Sequence, residues 1–196
     1  LYIHQYINWH NSLITVNGVR PFDLEATAIE ELPAAAYRAS GISYPKFFKM
    51  DILSRVAFLA TELLNIADEN IDKNKIATVV STAAGCIDVD KKFQESRGQI
   101  ASPALFVYTL PNIMLGEICI RHGFKGAQMC LIDETFDTDM LYFHVADLLS
   151  RGDVDACLCG YVDATADHIN AQLMWVKKEQ GALIFNEENV AKIALH

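Results

Sequence analysis

The chain has 196 residues, 52% of them hydrophobic, and a formal net charge of −9. That length suits one hydrophobic core and a single domain over residues 1–196, and the acidic balance argues against nucleic-acid binding, which sets Lys and Arg against phosphate. No apolar run reaches the ~18 residues of a membrane span, and the opening "LYIHQYINWH" is too polar and too short for a signal peptide, so a cytoplasmic chain is expected.

In chain order, "LYIHQYI" reads as a short strand. Residues 9–50, with Asn17-Gly18, Pro21, Pro33 and Pro45, read as a covering segment with a short helix at 24–32. "MDILSRVAFLATELLNIA" (50–67) is a helix: Ile52, Val56, Leu59, Leu63 and Ile66 recur at helical spacing, and Asp51 suits its N-cap. "KIATVVSTAA" (75–84) is a β-branched run and reads as a buried strand. Residues 85–107 read as a loop with a helical piece at 88–96. "LPNIMLGEICIRHG" (110–123) is a helix with Pro111 near its first turn and Gly123 as its stop. "GAQMCLI" (126–132) is a strand, "TFDTDMLYFHVADLLSRG" (135–152) a helix and "VDACLCGYVDA" (154–164) a strand. After a polar stretch, "GALIFNE" (181–187) is a last strand and "ENVAKIAL" a terminal helix or tail. The expected fold is therefore α/β, in the order β-α-β-α-β-α-β-β. It has a five-stranded, mostly parallel sheet, an antiparallel last strand and helices on both faces. The five cysteines are odd in number and lack CxxC pairs, which argues against disulfides and a zinc site; no metal and no cofactor is expected.

Four of these segments carry a resemblance. "MDILSRVAFLATELL", "LPNIMLGEICIRHGFKG", "LLSRGDVDACLCGYVDA" and "KEQGALIF" resemble, in this order, segments of the N-terminal half of the β-ketoacyl-acyl-carrier-protein synthases, which have the thiolase fold. The third is the most specific: it resembles "RRG-x-x-D-x-x-x-x-GG-x-(D/E)-A", with Gly160 kept and Tyr161 in place of the second glycine. The likeness spans about residues 50–187. It implies a thiolase-like half-fold and a cysteine nucleophile at the start of the helix after strand 126–132. Counting back from Gly152, the glycine that ends that helix, puts this position at Thr135, inside "DETFDT".

A hydroxyl there is a far weaker acid than a thiol, and Asp133, Glu134 and Asp137 oppose build-up of negative charge on it. Thr135 is thus expected to be the N-cap of its helix and inactive as a nucleophile. Cys130, mid-strand, is the nearest thiol and the weaker catalytic candidate. The family's two decarboxylation histidines belong to the C-terminal half, and none of the six histidines here matches their motifs; His168 alone is retained as a functional candidate. The end after "GALIFNEENVAKIALH" matches the end of such a half, so a complete product is expected.

The resemblance implies lipid assembly of the fatty-acid, polyketide or aryl-polyene type. The favoured role is a non-catalytic ketosynthase-like subunit. It would pair as a homodimer through strand 126–132, which has no proline or charge to block its edge, or as a heterodimer with a full-length ketosynthase. The mean hydropathy of +0.16 fits apolar surface that a partner covers. One alternative is an active acyltransferase or condensing enzyme using Thr135, Cys130 or a partner's residues. Another is a module that binds an acyl carrier protein or an acyl chain. Carrier docking would use Lys46, Lys49 and Arg55, with Lys91, Lys92 and Arg97 as a second basic cluster, and an acyl chain would meet Phe106, Tyr108, Leu110 and Phe136.

Overall fold

The computed structural model describes residues 1–24, 28–66, 71–96 and 102–194. Strand β1 (Tyr2–His10) turns through Asn11, at φ 48°, into β2 (Leu13–Val16). A second turn at Asn17-Gly18 (φ 51° and 77°) needs the left-handed conformation that Asn and Gly tolerate. Helix α1 (Leu32–Ser40) and α2 (Ile52–Leu63) follow, then β3 (Ile76–Thr82), α3 (Ile87–Ser96), α4 (Pro103–Val107) and α5 (Ile113–His122). The chain continues through β4 (Gln128–Ile132), α6 (Thr138–Arg151), β5 (Ala156–Ala164), β6 (Ile169–Lys177), β7 (Leu183–Ile184) and α7 (Glu187–Ala194).

All seven strands form one sheet in the order β2-β1-β6-β5-β3-β4, with β7 pairing the start of β1 beyond the end of β2. Helices cover both faces. On one, α1, α2 and α5 bury Leu53, Val56, Phe58, Leu59 and Ile118 with Trp9, Leu158 and Trp175 of the sheet. On the other, α6 and α7 bury Leu141, Val145, Leu149 and Val190 with Val79, Cys157 and Met174. β3 and β5 lie between these layers and are buried along their whole length, which is why they read as unbroken apolar runs. β4 closes one side of the sheet as an edge strand.

The expectation of an α/β fold with helices on both faces holds, but the sheet differs in three respects. It has seven strands rather than five. The missed long strand is β6, in the stretch read as polar; Asn170 and Gln172 hide an apolar run that includes Ala171, Leu173, Met174, Trp175 and Val176. These two polar side chains bond each other at 2.6 Å, so they enter the sheet partnered. The sheet is also not mostly parallel: β3 pairs β4 and β5 in parallel, while the β1–β2, β1–β6, β1–β7 and β5–β6 pairings are antiparallel. Only the connections carrying helices between β3, β4 and β5 reverse the chain enough for parallel pairing. Third, the strand expected at 181–187 shrinks to Leu183–Ile184 and pairs β1, not β5, whose neighbour is β6.

The short helix expected at 24–32 is instead α1, starting at Leu32; Pro33 sits in its first turn, where a proline costs no hydrogen bond. Residues 25–27 of that expectation lie outside the described residues, as do residue 67 of the expected 50–67 helix and Arg97. Asp51 caps α2 as expected, accepting from Ser54 N–H at 3.2 Å. Thr135 does not cap α6. Asp137 does, accepting from Met140 N–H at 2.8 Å, because the backbone is still extended at Asp137 and the helix begins at Thr138.

Candidate functional site

Two regions hold the residues singled out in the sequence. The first is the turn from β4 into α6. Thr135 is exposed there and, among the described residues, makes no hydrogen bond. No described imidazole bonds it or Cys130: His4 bonds the Glu179 carbonyl, His122 meets Glu62, and His168 bonds Asp163 and Thr165. Cys130 packs half-buried against the α1/α2/α5 core, and burial pushes its thiol up to about 11, which disfavours thiolate. Phe136 turns inward and stacks on Tyr161 at 5.2 Å, so the aromatic ring in place of a motif glycine has a packing partner. Gly160 beside it is at φ 147°, and a Cβ there would lie 1.9 Å from the Gln172 carbonyl oxygen; the β5–β6 approach admits only glycine.

The second region is a cavity of about 740 Å³ between the start of α2, α3, α4 and α1. It brings together Lys49, Arg55 and Tyr108. Phe106 and Leu110 do not line it; both are exposed, and Phe106 rests on Phe93 at 5.5 Å. Lys46 also lies outside it. Its ammonium is 2.8 Å from Oε2 of Glu117, a buried carboxylate that accepts from the Tyr108 hydroxyl at 2.9 Å. Burial first, and Glu117 second, push the Tyr108 phenol up, so it stays a donor.

Sequence reasoning missed three acids. Glu117 was visible as a lone carboxylate on the apolar helix "NIMLGEICI". Asp51 was read only as a cap. Burial pushes its carboxyl up, outweighing the hydrogen bonds that pull it down, and among the described residues its buried Oδ2 has no hydrogen-bond partner. Asp163, the acid of the "GYVDA" segment, is buried at the ends of β3 and β5. Its Oδ1 accepts from the Thr82 hydroxyl (2.9 Å), Ala83 N–H (3.1 Å) and Ala84 N–H (2.8 Å); His168 Nε2 lies 2.7 Å from Oδ2. Burial alone would push Asp163 up. The His168, Ala84 and Thr82 bonds together outweigh it and hold the carboxyl below its usual range. His168 Nδ1 is 3.0 Å from the Thr165 hydroxyl, so this candidate ties the β5–β6 turn to the segment leaving β3.

No protein-family model matches the sequence, and no curated protein matches it. Solved structures do match. One is a chain of the ishigamide ketosynthase/chain length factor, at 14% identity and TM-score 0.64 over 92% of this chain and 63% of that one. The fold is ketosynthase-like. A second match is in a type II polyketide synthase assembly of an acyl-carrier protein with its ketosynthase bound to the hexaketide (13% identity, TM-score 0.63, 90% and 62% covered). A third is in the ketosynthase ApeO in complex with its chain length factor ApeC from Xenorhabdus doucetiae (11% identity, TM-score 0.65, 92% and 79% covered). This chain spans under two thirds of the length of the first two. Among the described residues no helix is long and apolar enough to cross a membrane.

Proposed function

We propose that this chain is a non-catalytic ketosynthase-like subunit of fatty-acid, polyketide or aryl-polyene-type lipid assembly, acting as the partner of an active ketosynthase. The observation that carries the reading is the β4–α6 region. β4 is an edge strand whose sequence, "QMCLI", has neither proline nor charge to discourage pairing. At its end Ile132 is 63% exposed, and on the helix that follows Met140 and Phe143, at i and i+3, are 45% and 63% exposed. Covering these three side chains contributes roughly 2–4 kcal/mol to association. The similar structures include, by name, ketosynthases together with chain length factors, which supports a ketosynthase as the companion over a second copy of this chain. The Thr135 hydroxyl has no hydrogen-bonded base among the described residues, and three carboxylates, Asp133, Glu134 and Asp137, surround it in sequence; both features oppose attack on a thioester.

Co-expression with a full-length ketosynthase, with one chain tagged, tests the pairing: the expected result is a stoichiometric complex. Incubation with an acyl thioester followed by intact-mass measurement tests the chemistry. No mass gain is expected on this chain. An acyl adduct mapped to Thr135 or Cys130 would replace the reading with an active acyltransferase.

A further inference from the structure

The cavity beside the start of α2 is lined by a guanidinium, that of Arg55, which forms no ion pair among the described residues. Arg55, half-buried in its wall, gives Nε and one terminal nitrogen to the carbonyls of Phe47 (3.3 Å) and Phe48 (2.8 Å). Those bonds orient the guanidinium and leave its charge in place. Among the described residues, no carboxylate lies within ion-pair distance of it. The neighbouring acid, Asp51, acts on Arg55 electrostatically without forming an ion pair with it, and burial pushes the Asp51 carboxyl up. Arg38, Lys49 and Lys92 stand around the same cavity and likewise form no ion pair among the described residues.

The lining also includes the apolar residues Ala34, Met50, Ile52, Val89 and Leu105. Acids are present too. Asp88 has Oδ2 engaged by Ala166 N–H at 2.7 Å, and Glu30 and Glu31 are exposed on a 3-10 turn. Four basic and four acidic residues therefore line the cavity, counting Asp51. A polyanion finds no net attraction in such a balance, whereas one negative group seated at Arg55 finds a local one. The volume of about 740 Å³ lies within the ~300–1,000 Å³ range typical of small-molecule pockets.

We propose that this cavity is a binding site for a monocarboxylate with an apolar chain, its carboxylate on Arg55 and Lys49 and its chain along Met50, Ile52, Val89 and Leu105. The carboxylate supplies a counter-ion in direct contact and accepts from the guanidinium N–H groups that the carbonyls leave free. The chain covers the apolar lining. The binding is reversible and needs no nucleophile, and it does not rest on the pairing role above.

Titration of the full chain with decanoate, decanol and acetate, followed by isothermal calorimetry and by amide chemical shifts, tests this site. Decanoate should bind saturably and shift residues 49–55 and 104–108. Decanol, lacking the charge, and acetate, lacking the chain, should each bind at least about tenfold more weakly, since a charge-assisted hydrogen bond and a buried chain each contribute that much. Arg55→Gln should weaken decanoate by about tenfold or more and leave decanol unchanged. Because Arg55 also holds the Phe47 and Phe48 carbonyls, Ala104→Phe provides a second variant. It fills the cavity from an exposed position, keeps every charge, and should abolish decanoate binding. Equal affinity for decanoate and decanol, decanoate binding that survives Ala104→Phe, shifts confined to the Ile132–Phe143 face, or no saturable binding would each overturn the proposal.

Discussion

Lys46 and Lys49 differ by three positions in sequence and lie at opposite extremes of structural importance. Lys46 neutralises Glu117, which is 4% exposed, whereas Lys49 stands on the surface without an ion pair among the described residues. Lys46→Ala leaves a buried carboxylate with the Tyr108 hydroxyl as its one remaining partner among the described residues, and should cost about 1–3 kcal/mol in chemical denaturation; Lys49→Ala should change stability by less than about 0.5 kcal/mol. Any loss of carrier docking in a Lys46 variant therefore has to be separated from loss of fold. Glu62 controls a second residue-level property. Burial pushes its carboxyl up, but His122 and Arg121 outweigh this and hold it at about 2. A folded value below the unfolded ~4.3 means the stabilisation is complete above that unfolded value and is lost as pH falls through about 2. Denaturant midpoints of Glu62→Gln should lie below those of the parent at pH 6, with the gap closing as the pH approaches 2. A gap that stays constant would show that Glu62 acts through packing instead.

Helix starts were the least legible element boundaries. Both Thr135 and Asp137 are acceptable caps in "DETFDTDML", and the residue types alone favour neither. The backbone decides: Asp137 is extended (φ −79°, ψ 98°) and its carboxylate reaches Met140 N–H. Asp137→Ala should lower stability by about 1 kcal/mol, and Thr135→Ala should leave it unchanged, as read from thermal or urea unfolding. Helices α2 and α5 were readable because their apolar residues recur at a spacing of about 3.6 residues; the two pack against each other, and α2 is buried from Val56 to Thr61. Strand β6 is less plain: Ile169-Asn170-Ala171-Gln172-Leu173 alternates apolar with polar residues, but the run Leu173–Val176 that follows is apolar on both faces and breaks the pattern. The β5–β6 hairpin shows how a strand with weak local signals is specified by its neighbour: nine residue pairs of β5 hold β6 in register.

At the scale of the whole molecule, the exposed stripe on α6 and the free edge of β4 make association the property to test. The double variant Ile132→Glu/Phe143→Glu places charge where a partner would bury carbon. It should keep the monomer's circular dichroism and melting behaviour, because both positions are 63% exposed, while abolishing the complex with a ketosynthase in analytical ultracentrifugation. A complex that survives both substitutions would place the interface elsewhere. By itself the sequence determined the layered α/β class, the principal helices, the buried pair β3 and β5, and the ketosynthase-like order of segments. The first three depend on local periodicity or on turn residues that act within a few positions; the last rests on the resemblance of the quoted segments to that family. Only the tertiary structure decided that β1 joins the sheet through β6, that Lys46 pairs with Glu117, and that Lys49, Arg55 and Tyr108 share a cavity while Thr135 stands apart. These are contacts between segments far apart in the chain, set by how sheet and helix faces stack, and no local pattern encodes them.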